Sequence, residues 1–133
     1  MQRHYLTAEE IIAINKEVVK ISGDPHGVMN EGNLKHVVDA ISFKYEGEPE
    51  ALVLKAAFLL DYLANKGHVF IEGNKRTAQT ATITFLNLNA MIFFEQNQKE
   101  LSSFVLSVAK AEKSLAAITK WLKERIIIAG PHK

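Results

Sequence analysis

Apolar residues recur along this chain at the three- and four-residue spacing of helices, and the pattern divides it into six helical segments. The first opens at Thr7, with Glu10 three positions on, a capping box in which each side chain accepts from the other residue's backbone N–H. Leu6 and Ile11 flank the cap where a hydrophobic staple forms, and Ile11, Ile14, Val18 and Ile21 supply the apolar face. Gly23-Asp24-Pro25-His26-Gly27 breaks the pattern. A second helix is expected from about Gly32 to Phe43, with Leu34, Val37, Val38 and Ile41 inward. Lys44 to Pro49 is polar and turn-rich, and reads either as a plain loop or as a short hairpin. A third helix, from about Glu50, carries Leu52, Val53, Ala56, Ala57, Leu60 and Leu63, and Gly67 is expected to close it in the left-handed conformation.

A fourth helix is expected from Asn74 to about Asn89. Its apolar positions, Ala78, Ala81, Ile83, Phe85, Leu86 and Leu88, fall on more than one face, as in a central helix. Met91 to Phe94 reads as a short apolar bridge. Asn97 and Glu100 repeat the cap-and-acid spacing before Leu101, Phe104, Val105 and Val108. Ser114 opens a last helix with Leu115, Ile118, Trp121 and Leu122, expected to end before Gly130-Pro131. With no repeat, linker or low-complexity stretch, the expected architecture is one all-α domain over residues 1–133.

Composition narrows the functional classes. The 133 residues suit a single core, and 47 % hydrophobic with 23 % charged residues is the balance of a globular protein in water. No apolar run approaches the roughly 20 residues of a membrane span. Residues 1–20 lack a charged start followed by an apolar block, so no secretion signal is expected and the expected compartment is the cytoplasm. The absence of cysteine excludes disulfides and thiolate metal sites. A net charge of +1, with Lys and Arg scattered, gives no electrostatic reason to expect nucleic acid as a partner.

The candidate chemistry lies between the third and fourth helices, in Gly67-His68-Val69-Phe70-Ile71-Glu72-Gly73-Asn74-Lys75-Arg76. Gly73 and Asn74 stand where a loop enters a helix, and the first turn of a helix offers free N–H groups and a positive dipole end to an anion. Glycine lets a phosphate approach the backbone. Lys75 and Arg76 add positive charge, the arginine in a form that grips phosphate oxygens in pairs. Glu72 supplies a carboxylate for Mg²⁺. His68 is the residue type best suited to accept a proton near neutral pH. Phe70 can anchor the loop in the core. Each feature also has a plainer use: Lys-Arg at a helix start is usually a solvated surface, and a single loop histidine is usually structural.

His68-Val69-Phe70-Ile71-Glu72-Gly73-Asn74-Lys75-Arg76 resembles the signature of the Fic/Doc family, and the resemblance extends over roughly residues 5 to 125. It implies a compact helical bundle of the Fic/Doc type, with a β-hairpin flap over Lys44–Pro49 that presents the target's hydroxyl to the histidine. The compact length is closest to the Doc, or death-on-curing, toxins of toxin–antitoxin pairs. Adenylyl-transferring members carry a glycine and a second arginine where this chain has Lys75 and Gln79. Doc-type members share the lysine and transfer the γ-phosphoryl of ATP to a threonine of elongation factor Tu, which inhibits translation.

For this chain the resemblance implies His68 as general base, Glu72 on Mg²⁺, and Gly73, Asn74, Lys75 and Arg76 on the phosphates of ATP. Lys66 and Thr80 are further candidates, although a solvated helix end is the commoner use of such a lysine. It also implies a partner, an antitoxin whose disordered tail folds on the toxin. Exposed members of the faces around Leu101–Val108 or Trp121 are candidates for that contact, with core packing their commoner use. Two alternatives stay open: an adenylyltransferase that tolerates Lys75, and a non-catalytic nucleotide- or protein-binding module. Ser42-x-x-x-Glu46-Gly47 also fits a short inhibitory pattern of some Fic proteins, at a place in the chain unlike theirs.

Overall fold

The computed structural model describes residues 2–93 and 98–128. Helix α4 (Asn74–Leu88) is the one on which the rest is assembled. Ala78 and Ala81 let neighbouring helices approach closely, and Phe85 and Leu86 fill the space between them; all four are fully buried. Against α4 pack α1 (Ala8–Ser22), α3 (Ala51–Asp61), β1 (Met91–Phe93) and α5 (Gln98–Ala109). Helix α2 (Glu31–Phe43) lies on α1 and α3, and α6 (Leu115–Lys123) lies on α3. The expected all-α architecture is therefore observed, with its central helix where the two-faced apolar pattern put it.

The capping box of α1 forms, Glu10 N–H donating to Thr7 Oγ1 and Thr7 N–H to Glu10 Oε1. The buried face of α1 is rotated from the expected one. Ile11, Asn15 and Val19, spaced by four, face inward, while Ile14 and Val18 are half-buried and Ile21 is 87 % exposed. A polar residue is tolerated on this face because Asn15 finds buried partners, described below. In α2, Leu34, Val37 and Ile41 are buried and Val38 only half so.

The end of α3 differs from expectation. The helix widens into a π turn over Tyr62–Lys66, and the Gly67 N–H donates to Tyr62 O at 2.7 Å, five residues back. Gly67 is right-handed, at φ −80°, and the left-handed residue is the next one, His68, at φ 44°. Lys44–Glu50 forms consecutive turns and no hairpin. Its anchor is Lys55 of α3, a fully buried lysine whose Nζ donates to Ile41 O at 2.6 Å and meets Glu46 Oε2 at 2.7 Å. Arg3 donates to the same carboxylate. Glu46 thus holds the turns against α3 and the N-terminal segment, which accounts for it without an inhibitory role.

The strands of the molecule lie elsewhere. Helix α6 ends at Lys123, and β2 (Ile126–Ile128) runs antiparallel to β1, with Ile92 opposite Ile127. Three successive β-branched residues favour this extended pairing over continuation of the helix. The expected Phe94, Asn97 and Gly130-Pro131 features lie outside the described residues. Among the described residues no helix is long and apolar enough to cross a membrane.

Candidate active site

Residues 67–73 join the π turn to α4, and α2 and α1 hold the segment from either side. On the α2 side it runs antiparallel to residues 27–30. Met29 N–H and Asn30 N–H both donate to Val69 O, at 2.7 and 3.1 Å, and Ile71 N–H donates to Gly27 O at 3.0 Å. Asn33 Nδ2 donates to Gly67 O at 2.6 Å. On the α1 side Asn15 Nδ2 donates to Glu72 O at 2.8 Å and to Thr77 Oγ1 at 3.1 Å.

The Phe70 ring is fully buried. Burial of such a side chain stabilises by about 1.5–3 kcal/mol. His68, two positions before it, is exposed and makes no hydrogen bond among the described residues. A left-handed non-glycine residue costs roughly 1–2 kcal/mol, so the backbone of His68 is held by its neighbours and not by its own preference. Beside it Tyr62 packs over Gly67 and against His36 and Phe58, with centroids 5.5 and 5.9 Å apart. Burial holds the Tyr62 phenol above its ordinary pKa.

Gly73 begins α4 at φ 81°, with no side-chain cap. A Cβ there would lie 2.7 Å from Val19 Cγ1 and 3.3 Å from Asn15 Nδ2, so α1 requires glycine at this point. The first helical hydrogen bond is Thr77 N–H to Gly73 O, which leaves the N–H groups of the preceding turn without partners in the helix. Beside this turn stand Glu72 and Lys75, both exposed and neither paired among the described residues. Along the loop into α4, His68, Glu72 and Lys75 are thus exposed, with Gly73 at the helix start.

The side chains of Asn74, Arg76 and Lys66 have partners within the fold. Asn74 turns its side chain back onto Phe70: Phe70 N–H donates to Asn74 Oδ1 and Asn74 Nδ2 to Phe70 O, so the amide shapes the loop. Arg76 reaches α1, where Nη1 donates to Val18 O at 2.8 Å, Nη2 donates to Ser22 Oγ at 3.3 Å, and the guanidinium lies 3.6 Å from Asp24. Two hydrogen bonds to the last turn of α1 staple that helix to α4. Lys66 is paired with Asp61. Thr80 is exposed, its carbonyl accepting from Thr84 one turn on. Trp121 stacks on Phe104 of α5 and meets the Arg125 guanidinium, each 4.0 Å from its ring centre.

No group of three side chains suited to a metal ion occurs among the described residues. A groove of about 640 Å³ between α1 and α2 is lined by Ile12, Val28, Leu34 and Val38, and none of the residues from His68 to Arg76 lines it. Sequence reasoning missed Asn15, Asn30 and Lys55. Asn15 carried a signal, a polar residue four positions from each of two buried aliphatics. Lys55 carried a weaker one, a charge amid a helix apolar on nearly every face.

The family model described as the Fic/DOC family matches residues 5–86, from the approach to α1 through Leu86 near the end of α4. That span includes the whole loop and every element that holds it. A relative named "Protein kinase doc", from Escherichia phage P1, is 24 % identical over 121 residues, 90 % of this chain and 93 % of the relative. With more than half its length matched, residues 67–76 included, the chain belongs to the Fic/DOC family.

Proposed function

We propose that the chain is a Doc-like protein phosphotransferase, the toxin of a toxin–antitoxin pair, which moves the γ-phosphoryl of ATP to a threonine or serine hydroxyl of a target protein. The observation that carries this reading is that the loop leading into the uncapped first turn of α4 leaves His68, Glu72 and Lys75 exposed and unpaired among the described residues. His68 takes the proton of the target hydroxyl as general base. The hydroxyl oxygen forms the new bond to phosphorus as the bond to the β-phosphate bridge breaks, and ADP leaves. The N–H groups of Gly73 and Asn74 and the ammonium of Lys75 stabilise charge on the phosphoryl oxygens. Arg76, occupied by α1, contributes through the position of α4.

Mg²⁺ bound with ATP supplies charge neutralisation on the phosphates. A lone exposed carboxylate suits it, since Mg²⁺ takes one or two protein oxygens and completes its shell with phosphates and water. Glu72 is the residue to hold it. The name of the phage relative and the lysine at position 75 support phosphoryl over adenylyl transfer. By the same resemblance the target is elongation factor Tu, and an antitoxin chain restrains the enzyme.

A second reading, adenylyl transfer, is favoured by Glu72-Gly73-Asn74 and by the exposure of Lys75, which leaves that side chain free to turn out of the path of a triphosphate. The purified chain with elongation factor Tu and Mg²⁺ should take label onto the factor from γ-labelled ATP and not from α-labelled ATP, and lose it in His68→Ala. Label from α-labelled ATP assigns adenylyl transfer. Label from neither removes elongation factor Tu as the substrate and leaves the binding-module alternative.

A further inference from the structure

The carbonyls of the two residues that flank His68 are both held by the start of α2 and the turn just before it. Before it, Gly67 O accepts from Asn33 Nδ2 at 2.6 Å. After it, Val69 O accepts from the N–H groups of Met29 and Asn30, at 2.7 and 3.1 Å. The circuit closes within α2, because Asn30 Oδ1 caps the helix by accepting from Asn33 N–H at 2.9 Å. One capping turn thus holds the Gly67–His68 peptide, which precedes a residue at φ 44°, and the Val69–Phe70 peptide, one residue beyond it.

Of the contacts in this clasp only two belong to side chains. Asn30 caps α2, so its loss disturbs the helix itself. Asn33 is different. Its side chain is half-buried, its amide donates to the loop and not to its own helix, and Gly67 O is otherwise presented at the end of a π turn whose N–H side is already satisfied by Tyr62 O. The Asn33 amide therefore fixes the rotation of the Gly67–His68 peptide plane. That rotation sets the φ of His68 and, with it, the direction in which the imidazole leaves the backbone.

We propose that Asn33 is a positioning residue for the transfer reaction, acting through Gly67 O to aim His68 at the acceptor hydroxyl. The proposal rests on His68 being the general base, as argued above. It concerns catalysis and not nucleotide binding, because Asn33 touches the loop at Gly67, six residues before the phosphate-facing turn at Gly73. A displacement of about 1 Å in a reacting group can cost on the order of 10²-fold in rate.

The test compares wild type, Asn33→Ala and Asn33→Gln, the last retaining an amide donor on a longer side chain. Transfer kinetics on the target, a fluorescent ATP analogue titration, thermal melting and ¹H–¹³C spectra of the histidine rings, with the His68 signal assigned from His68→Ala, are read on each. In Asn33→Ala, kcat should fall by roughly 10²-fold while KM for ATP and analogue affinity stay near wild type, melting should drop by no more than the loss of one hydrogen bond explains, and the His68 ring signal should shift or split. Asn33→Gln should recover part of kcat. Unchanged kcat in Asn33→Ala overturns the proposal, and so does a parallel loss of kcat, nucleotide affinity and melting temperature, which marks general damage. If wild type transfers nothing, the functional reading fails, and the ring spectra still decide: an unmoved His68 signal in Asn33→Ala overturns the positioning role.

Discussion

Asn74, the first residue of α4, bonds both polar groups of the Phe70 backbone, accepting from its N–H at 3.0 Å and donating to its carbonyl at 2.9 Å. The side-chain amide thereby completes a backbone pairing that the loop cannot make with itself. Asn74→Ala leaves two partly buried backbone groups without their partner. Each such orphan costs about 1–3 kcal/mol, so the variant should lose at least that much stability in urea unfolding, with faster exchange of the Phe70 amide. Asn74→Asp keeps the acceptor but faces Phe70 O with a second oxygen, and should be no better than alanine. Wild-type stability in both variants would show the clasp to be dispensable.

His68 combines an exposed imidazole with a left-handed backbone, and the two properties separate by mutation. His68→Ala removes the base and keeps the strain; transfer should fall by roughly 10²–10⁴-fold. His68→Gly should be as inactive, yet more stable than His68→Ala by about 1 kcal/mol, because glycine adopts φ 44° without a Cβ penalty. Thermal melting of the pair reads the difference. Equal stabilities would mean that the loop relaxes once the imidazole is gone.

Gly73 is constrained twice, by its φ of 81° and by Val19 of α1, which a Cβ would meet at 2.7 Å. Gly73→Ala should therefore cost more than backbone strain alone, on the order of 2–4 kcal/mol when a left-handed alanine and a crowded contact are combined. The double variant Gly73→Ala, Val19→Ala makes room for the methyl and should recover the crowding part while keeping the strain. Urea midpoints of the four chains form the cycle that checks this.

The helices and their order were legible because each carries its own signals: a capping box at Thr7, a cap at Ser114, two-faced apolarity from Ala78 to Leu88. The candidate site could be named from sequence alone because His68 to Arg76 is contiguous. The engagement of each side chain was not. Arg76 and Asn74 carry the residue types of a phosphate site, yet α1 takes one and the Phe70 backbone the other. Those partners lie in other segments or depend on the loop's path. The rotation of α1 had a similar cause: Asn15 faces inward because Glu72 O and Thr77 Oγ1 await it, which hydropathy alone does not reveal. The strand at Ile126–Ile128 was obscured because a short isoleucine run satisfies a helix end or a strand equally until Met91–Phe93 is beside it.

The turns at Lys44–Glu50 should make the fold sensitive to acid through one carboxylate. Glu46 accepts from the buried Lys55 Nζ and from Arg3, and the Lys55 hydrogen bond, with a smaller contribution from Arg3, holds its carboxyl below the usual glutamate value. In the unfolded chain that hold is absent. Between the folded and unfolded values the unfolded state binds a proton that the native state does not, so stability falls as pH falls. The contribution of Glu46 is complete above the ordinary glutamate value and is lost as pH drops through the depressed folded one. Glu46→Gln has no such titration and also leaves Lys55 buried beside a neutral group. The urea midpoints of wild type and Glu46→Gln should therefore lie far apart at pH 7 and converge below the ordinary glutamate range. Adding Lys55→Met to Glu46→Gln removes the buried ammonium and should recover stability at pH 7, because an apolar side chain replaces an uncompensated charge. A gap between wild type and Glu46→Gln that stays constant from pH 7 to acid would show that Glu46 holds the turns by shape and not by charge.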